Sequence, residues 1–435
     1  MPASSRGRLA AALAALALAA SALAACATEP ATLETVAVPA DAPTISEAVT
    51  RVAEGGLVLV SPGVYPEQVL VDKPGVTVRG LDRNETVVDG EGQRPYGIVA
   101  IADGVSVENL TVTGATFYGV LVTGLHDENG PTAHGGGGYT HLDPEKFPPV
   151  QRFSIDHVTA YNNGLYGLYA FDAQHGVISN SYASGSADSG IYVGQCRDCD
   201  ITVRDNIAEN NAVGFENANA SDSVYIVGNR FSRNRVGLTL ISNYQEAFVP
   251  QSGNTVVGNL VSDNVEPTSP VQADGGFGIG IGISGGTSND IRDNRIAGNA
   301  RAGVLLAGTE DLRAAGNVFS GNAFEANGVD TANISGPRAP AQGNCVDPAA
   351  VTVLPAGLTA DCAGGVDQPA ASAAELPSSV APPGVSFRAV PPPPPQPQLP
   401  DPQAPARSLP DSVGAPDLSR YPLPAADLLA AGARG

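Results

Sequence analysis

Residues 206–238 read NIAENNAVGFENANASDSVYIVGNRFSRNRVGL. The stretch contains the same short pattern twice: an Asn, a second Asn five residues on, and a Gly three after that. The positions are Asn206, Asn211 and Gly214, then Asn229, Asn234 and Gly237. Outward from this pair, the N-x4-N spacing recurs at Asn259/Asn264, Asn294/Asn299 and Asn317/Asn322. Asn180 with Gly185 and Gly190, His157 with Asn162 and Gly167, and Asn109 with Gly114 and Gly119 occupy the same frame. First positions are then 109, 157, 180, 206, 229, 259, 294 and 317, with a basic interval of 23–26 residues and longer units where extra residues loop out. A period of this size, built from short β-rich runs and polar turns, marks a solenoid.

Each unit holds runs of four to six residues such as DITVRD, VYIVG and GLTLI, which are rich in Val and Ile and too short for helices. One unit cannot bury its apolar face alone, so coils must stack, like residue over like residue, at about 4.8 Å. Asn at a repeated turn then forms a ladder of side-chain amides, and Gly is expected to supply bends closed to a side chain. The fold expected is all-β, a single-stranded right-handed parallel β-helix, over residues 41–345. Thr44–Val52 has helical spacing and is expected to cap its N-terminal end.

Of 435 residues, 23 are Lys or Arg and 44 Asp or Glu, a net charge of −21. Such an acidic chain excludes a nucleic-acid partner, which rewards clustered cations; it suits divalent cations, Ca²⁺ being the cofactor to consider. Arg6 and Arg8, the apolar run Leu9–Ala20 and the quartet Leu23-Ala24-Ala25-Cys26 make residues 1–25 an export signal. The quartet resembles the lipobox of bacterial lipoproteins, which implies lipidation of Cys26 and a cell-membrane location on the extracytoplasmic face, with residues 26–40 as tether; simple secretion is the alternative. Export leads to an oxidising compartment, where the remaining cysteines are expected to pair by proximity, Cys196 with Cys199 and Cys345 with Cys362. Beyond 345 the composition turns to Ala, Pro and Gly, with PPPPPQPQLPDPQAP at 391–405, and residues 346–435 are expected to be a disordered tail.

The run Ser61-Pro62-Gly63-Val64-Tyr65, with Glu67, Val69, Val71 and Gly75-Val76-Thr77-Val78 after it, resembles the first coils of the pectin lyase-like β-helix superfamily. The repeats are also similar to those of NosD-type periplasmic proteins and of actinobacterial β-helix surface lipoproteins. Ser154–His157 is similar over four residues to a pectate lyase strand, and Phe171–His175 over five to an alginate epimerase motif. The catalytic motifs of pectin methylesterases and polygalacturonases are not recognisable, so the resemblance implies the fold and transfers no active site.

Aligning coils on their glycines sets Val120-Leu-Val, Leu168-Tyr-Ala, Ile191-Tyr-Val, Phe215-Glu-Asn and Leu238-Thr-Leu in one column. If the first of each triplet faces inward, Leu121, Tyr169, Tyr192, Glu216 and Thr239 face outward. Tyr169, Tyr192 and Glu216, with Asn219, then form an exposed sugar-binding stripe; an aromatic ladder that merely stiffens the sheet is the competing reading. Insertions 125–150 and 242–252 leave the same corner four coils apart, so they are expected to rise as two walls about 19 Å apart, with 265–277 a third excursion. Between the two walls the corner brings Asp172, His175, Arg197 and Asp198, the catalytic candidates: His175 or a carboxylate to move a proton and Arg197 to neutralise a uronate, as a lyase or epimerase requires. His126, His134 and His141 in the first insertion are candidate ligands for Zn²⁺ or Cu²⁺. Three readings follow: an exported β-helix that binds or modifies extracellular polysaccharide; a non-catalytic scaffold for cell-surface proteins; a NosD-like metal accessory protein.

Overall fold

The computed structural model describes residues 32–127, 130–131, 145–273, 275–358 and 366–430. Each coil contributes one strand to each of three parallel sheets, and the described residues form eleven, eleven and ten strands in the three. One coil runs Ile201–Arg204 in the first sheet, Ile207–Ala208 in the third, ten-stranded one and Val213–Ala220 in the second; the next runs Val224–Val227, Arg230–Ser232 and Val236–Ile241 in the same sheets. The chain is thus a right-handed parallel β-helix. The inward residues Val120, Leu168, Ile191, Phe215 and Leu238 stand in register on the second sheet and lie at 0% exposure in one core that extends from Val36 to Phe319. Burying each such side chain contributes about 1.5–3 kcal/mol, which is what holds the coils in phase.

The helix Ile45–Arg51 closes the N-terminal end. Thr44 caps it by accepting from the Glu47 amide, and Ile45, Ala48 and Val49 are buried. The Glu67 carboxylate takes the amides of Ile45 and Ser46 at 2.8 and 3.0 Å, so the orphan donors of the first turn are satisfied. The stretch expected to be a tether contributes the strand Leu33–Val38, paired with Val52–Val60.

Buried asparagines form three ladders. One climbs Asn206, Asn229, Asn259, Asn294 and Asn322 and closes on Asp347; each side-chain oxygen accepts from the backbone and side-chain nitrogens of the Asn before it. The second climbs Asn211, Asn234, Asn264, Asn299 and Asn327. A third, unanticipated, runs Asn289, Asn317 and Asn344. Asn317 is therefore not the successor of Asn294; Asn322 is, and the five-residue internal spacing lets the repeat slip by one ladder. At the other end Ser179 pairs with Arg204, so Asn180 aligns with Asp205, and it is Ser181 whose amide meets Asn206 Oδ1 at 2.9 Å.

The frame glycines divide between two causes: Gly114 and Gly185 make left-handed bends as expected, with φ of 71° and 66°, while the others answer to crowding between coils. The left-handed bends just before the ladder positions are made by Gly228 and Gly258, with φ of 64° and 68°, and elsewhere by Asp205, Asn210, Arg233 and Asp263, with φ of 54–60°. Gly119, Gly167, Gly214 and Gly237 are needed because the next coil comes too near: a Cβ on Gly214 would lie 2.5 Å from the carbonyl oxygen of Gly237.

The Pro-rich tail forms no ladder, as its composition dictates, but it is laid along the solenoid and is not disordered over 366–430. A proline-rich chain has carbonyls that no internal hydrogen bond uses, and solenoid side chains capture them. Asn162 donates to Val390 O, Asn84 to Gln396 O and Arg83 to Pro397 O, at 2.9–3.0 Å; Arg79 bonds Ala404 O. The tail passes down to the first coils there, turns, climbs the first sheet through Arg152–Asp411, and crosses to the ten-stranded sheet, where Arg295 donates to Pro424 O.

Candidate functional site

The middle residues of the aligned triplets point out of the coil, since Leu121, Tyr169, Tyr192, Glu216 and Thr239 are successive partners in register. They are nevertheless not an exposed stripe. Tyr169 and Tyr192 are each 2% exposed and Glu216 6%. Leu125, Phe147 and Tyr166 pack with Tyr118, Tyr169 and Tyr192 into a second apolar cluster outside the core; Tyr118 and Tyr166 stack at 5.4 Å, and Tyr169 meets Tyr192 edge-on at 4.9 Å. Alternation decides which way a side chain points, while the insertions decide whether water reaches it.

Beyond this lid the same face opens into a cleft of about 430 Å³, walled by 242–246, Gln272 and Thr309-Glu310 and floored by Tyr166, Asp188, Tyr192 and Glu216. Glu216 accepts from Ser189 Oγ at 2.6 Å and shares a hydrogen bond with the carboxyl of Asp188; Gln272 Nε2 reaches Asp188 Oδ1 at 2.7 Å. Burial first, and the Asp188 charge second, hold the Glu216 carboxyl protonated well above the usual carboxylate range, as expected where two carboxyls share one proton. Glu246, carried by the 242–252 insertion, accepts from the Tyr192 hydroxyl. Its pKa is pushed up to about 8 by burial, against the lowering effect of Tyr192 and Asn243, and its Oε2 is buried with no protein partner. A neutral carboxylic acid in the cleft wall, beside a proton-sharing carboxyl pair, is a candidate proton donor once its buried oxygen is turned toward a bound group. Tyr244, 43% exposed, stands at the rim with its hydroxyl on Asp311 Oδ1 at 2.8 Å.

The insertion is held in place by Asn219, fully buried, which donates to the carbonyls of Asn243 and Glu246 and accepts from the Asn243 amide. Asn219 thus orients the wall, and a sugar cannot reach it. The four catalytic candidates do not line this cleft. Asp172 is 1% exposed beneath the Pro148 segment, its pKa pushed up to about 7 by burial. His175 faces away and bonds Asp200 at 2.8 Å, and Asp200 also takes Ser412 Oγ and the amides of Val413 and Gly414 from the tail. Arg197 lies over the Phe248 ring, and Asp198 takes a left-handed turn, φ 51°, inside the Cys196–Cys199 disulfide loop. The αL corners at Asp172 and His175 re-aim their side chains, which even spacing along the sequence cannot reveal.

Cys345 is disulfide-bonded; Cys362, Cys26, His134 and His141 lie outside the described residues. His126 sits in a two-residue strand paired with Pro131. Among the described residues no group of three His, Cys, Asp or Glu side chains is arranged to hold a metal ion, so neither Ca²⁺ nor the histidine-bound metals gain a ligand set there. Sequence reasoning missed Asp188, Glu246, Tyr166 and Tyr244. Only Glu246 and Tyr244 carried a signal, their place in an insertion already marked as a wall.

No curated protein matches the sequence significantly. Among solved structures, the A-module of the Azotobacter vinelandii mannuronan C-5 epimerase AlgE4 aligns at 17% identity with a TM-score of 0.36, over 68% of this chain and 90% of that one. Pectate lyase Pel9A aligns at 15% identity and 0.40, over 70% and 74%. The full-length tailspike protein 2 from the Escherichia coli O157:H7 bacteriophage CAB120 aligns at 11% and 0.40, over 67% of this chain but only 39% of its own. At these identities nothing about activity passes from one chain to another. The model of the right handed beta helix region matches residues 96–249 and 147–324, more than half of the chain. With its sheets, ladders and single core, the chain belongs to that β-helix family.

Proposed function

We propose that the protein binds a neutral segment of an extracellular polysaccharide in the Glu216–Glu246 cleft and acts on it by acid–base chemistry. What supports this reading is the placement of Glu246, whose carboxyl burial pushes up to about 8, in the wall of a cleft whose other titratable groups are Asp188, Glu216, Glu310 and tyrosines. A polyuronate needs a cation to neutralise its carboxylate; the described lining carries no Lys, Arg or His, and Arg197 stands over Phe248 instead. The set suits hydroxyl-rich, uncharged sugars, whose C–H faces stack on Tyr244 and whose hydroxyls meet carboxyls. Glu246 would donate its proton to a glycosidic oxygen while the Asp188–Glu216 pair takes one from the attacking water.

The test is a panel of neutral and uronic polysaccharides incubated with the folded protein, with binding and new reducing ends both measured. Neutral glycans are expected to bind, with affinity falling in Tyr244→Ala and cleavage lost in Glu246→Gln while binding persists. Binding of polyuronates alone, or no binding to any glycan, would sink the proposal. Placement outside the cytoplasm through a lipid on Cys26 belongs to the same reading. It predicts a diacylated N-terminal peptide in the membrane fraction, absent from Cys26→Ser.

A further inference from the structure

A second cavity, of about 660 Å³, lies between the third sheet and the tail. That volume falls within the roughly 300–1,000 Å³ of small-molecule sites. Its floor is the outward column Tyr182, Ile207 and Arg230, successive partners in register. One wall is the proline run Pro394–Pro397; the other is Leu429-Ala430, from the returning arm of the tail. The cavity exists only because both arms of the tail are docked over the same column.

Its charge is not balanced. Tyr182 gives its hydroxyl to Glu209 at 2.8 Å and Arg233 pairs with the same carboxylate, with Glu266 also acting on Arg233 from farther out. Glu209 is thereby spent on Arg233. Arg230 donates Nε to Ser232 Oγ at 2.8 Å and Nη1 to Leu428 O at 3.3 Å, and it meets no carboxylate among the described residues. The floor therefore offers one uncompensated guanidinium, an aromatic face whose hydroxyl is already engaged, and aliphatic walls of Ile, Pro and Leu.

We propose that this cavity binds a small amphipathic anion, a flat or aliphatic body bearing one carboxylate or comparable acid group, with the acid on Arg230 and the body between Tyr182, Ile207 and the prolines. A planar guanidinium offers a carboxylate paired donors, and the apolar walls reward a body that a free sugar or inorganic ion lacks. Because the ligand touches sheet and both tail arms at once, binding favours the docked tail by mass action. The site is distinct from the Glu216–Glu246 cleft and does not depend on what that cleft binds.

The test is calorimetric titration of the full chain with 2-naphthoate, with 2-naphthamide and 2-naphthylmethylammonium as neutral and cationic counterparts. Naphthoate is expected to saturate one site per chain, to bind at least about tenfold more tightly than the amide, and to slow chymotryptic cleavage of the tail near Tyr421. Arg230→Gln should abolish the preference for the anion and Arg230→Lys should retain it. Ile207→Phe, which fills the floor without touching charge, should weaken naphthoate and amide alike. Equal affinity for naphthoate and amide, unchanged naphthoate binding in either Arg230→Gln or Ile207→Phe, or no saturable binding at millimolar ligand would each overturn the proposal.

Discussion

Glu246 makes the cleft a source of pH-dependent stability with a definite sign. Its carboxyl titrates at about 8 in the fold against 4.5 in the open chain. Below pH 4.5 both states carry the proton. Between the two values the folded chain keeps it and the open chain loses it, so closure of the wall weakens as pH rises. Each pH unit in that window is worth about 1.4 kcal/mol, so the whole span amounts to about 5 kcal/mol. A solenoid need not unfold as one unit, and the segment that answers is the insertion tied down by Asn219 and by the Gln195 side chain on the Ala247 amide. Hydrogen exchange at residues 243–247 should therefore show protection, corrected for intrinsic rates, falling roughly tenfold per pH unit from pH 5 to 8. In Glu246→Gln this fall should be much shallower. The Asp188–Glu216 pair titrates in the same sense, so the difference between the two proteins is the quantity predicted. Parallel curves for wild type and variant would refute the assignment of a buried neutral acid.

Other outcomes follow from the packing. Asn259→Ala removes an oxygen that accepts from Asn229 N and Nδ2 and a nitrogen that serves Ile226 O and Asn294 Oδ1; leaving buried groups unpaired should cost about 3 kcal/mol or more, read as a lowered denaturant midpoint. Arg83→Ala loses bonds to Thr159, Val158 O and Asn180 O as well as to Pro397 O, and should release residues 391–405 to proteases while the coils remain folded by circular dichroism. Asp200→Asn should free the other arm at Ser412–Gly414 in the same assay. Gly176→Ala would drive a methyl to within 1.9 Å of the Phe153 ring, and overpacking of that kind should destabilise by about 1–3 kcal/mol, seen as a lower midpoint.

The coil architecture was legible because its cause is repetitive and local. Apolar alternation, Asn at the turns and a period near 23 residues all demand the same stacking, and the inward column Val120–Leu238 follows from it residue by residue. The phase of the ladders was less legible. Asn-x4-Asn repeats within a coil as well as between coils, so Asn317 could be placed a ladder away from its true neighbours, and only the register with Asn289 and Asn344 settles it. The outward direction of Tyr169, Tyr192 and Glu216 was likewise readable from a period of two, whereas their burial was not.

The amino-acid order thus dictated a right-handed β-helix with an N-terminal cap, and it marked the insertions around which a cleft is built. Tertiary contact alone decided that the tyrosines are floor and not surface, that Glu246 meets Tyr192 across 54 residues, and that a proline-rich tail is clasped along the rod. The physical reason is range. Stacking between coils is a nearest-neighbour effect that every repeat announces, but the fold-back of a loop or tail depends on one-off pairings, such as Arg83 with Pro397 O or Asp200 with Gly414 N. No periodicity encodes those pairings.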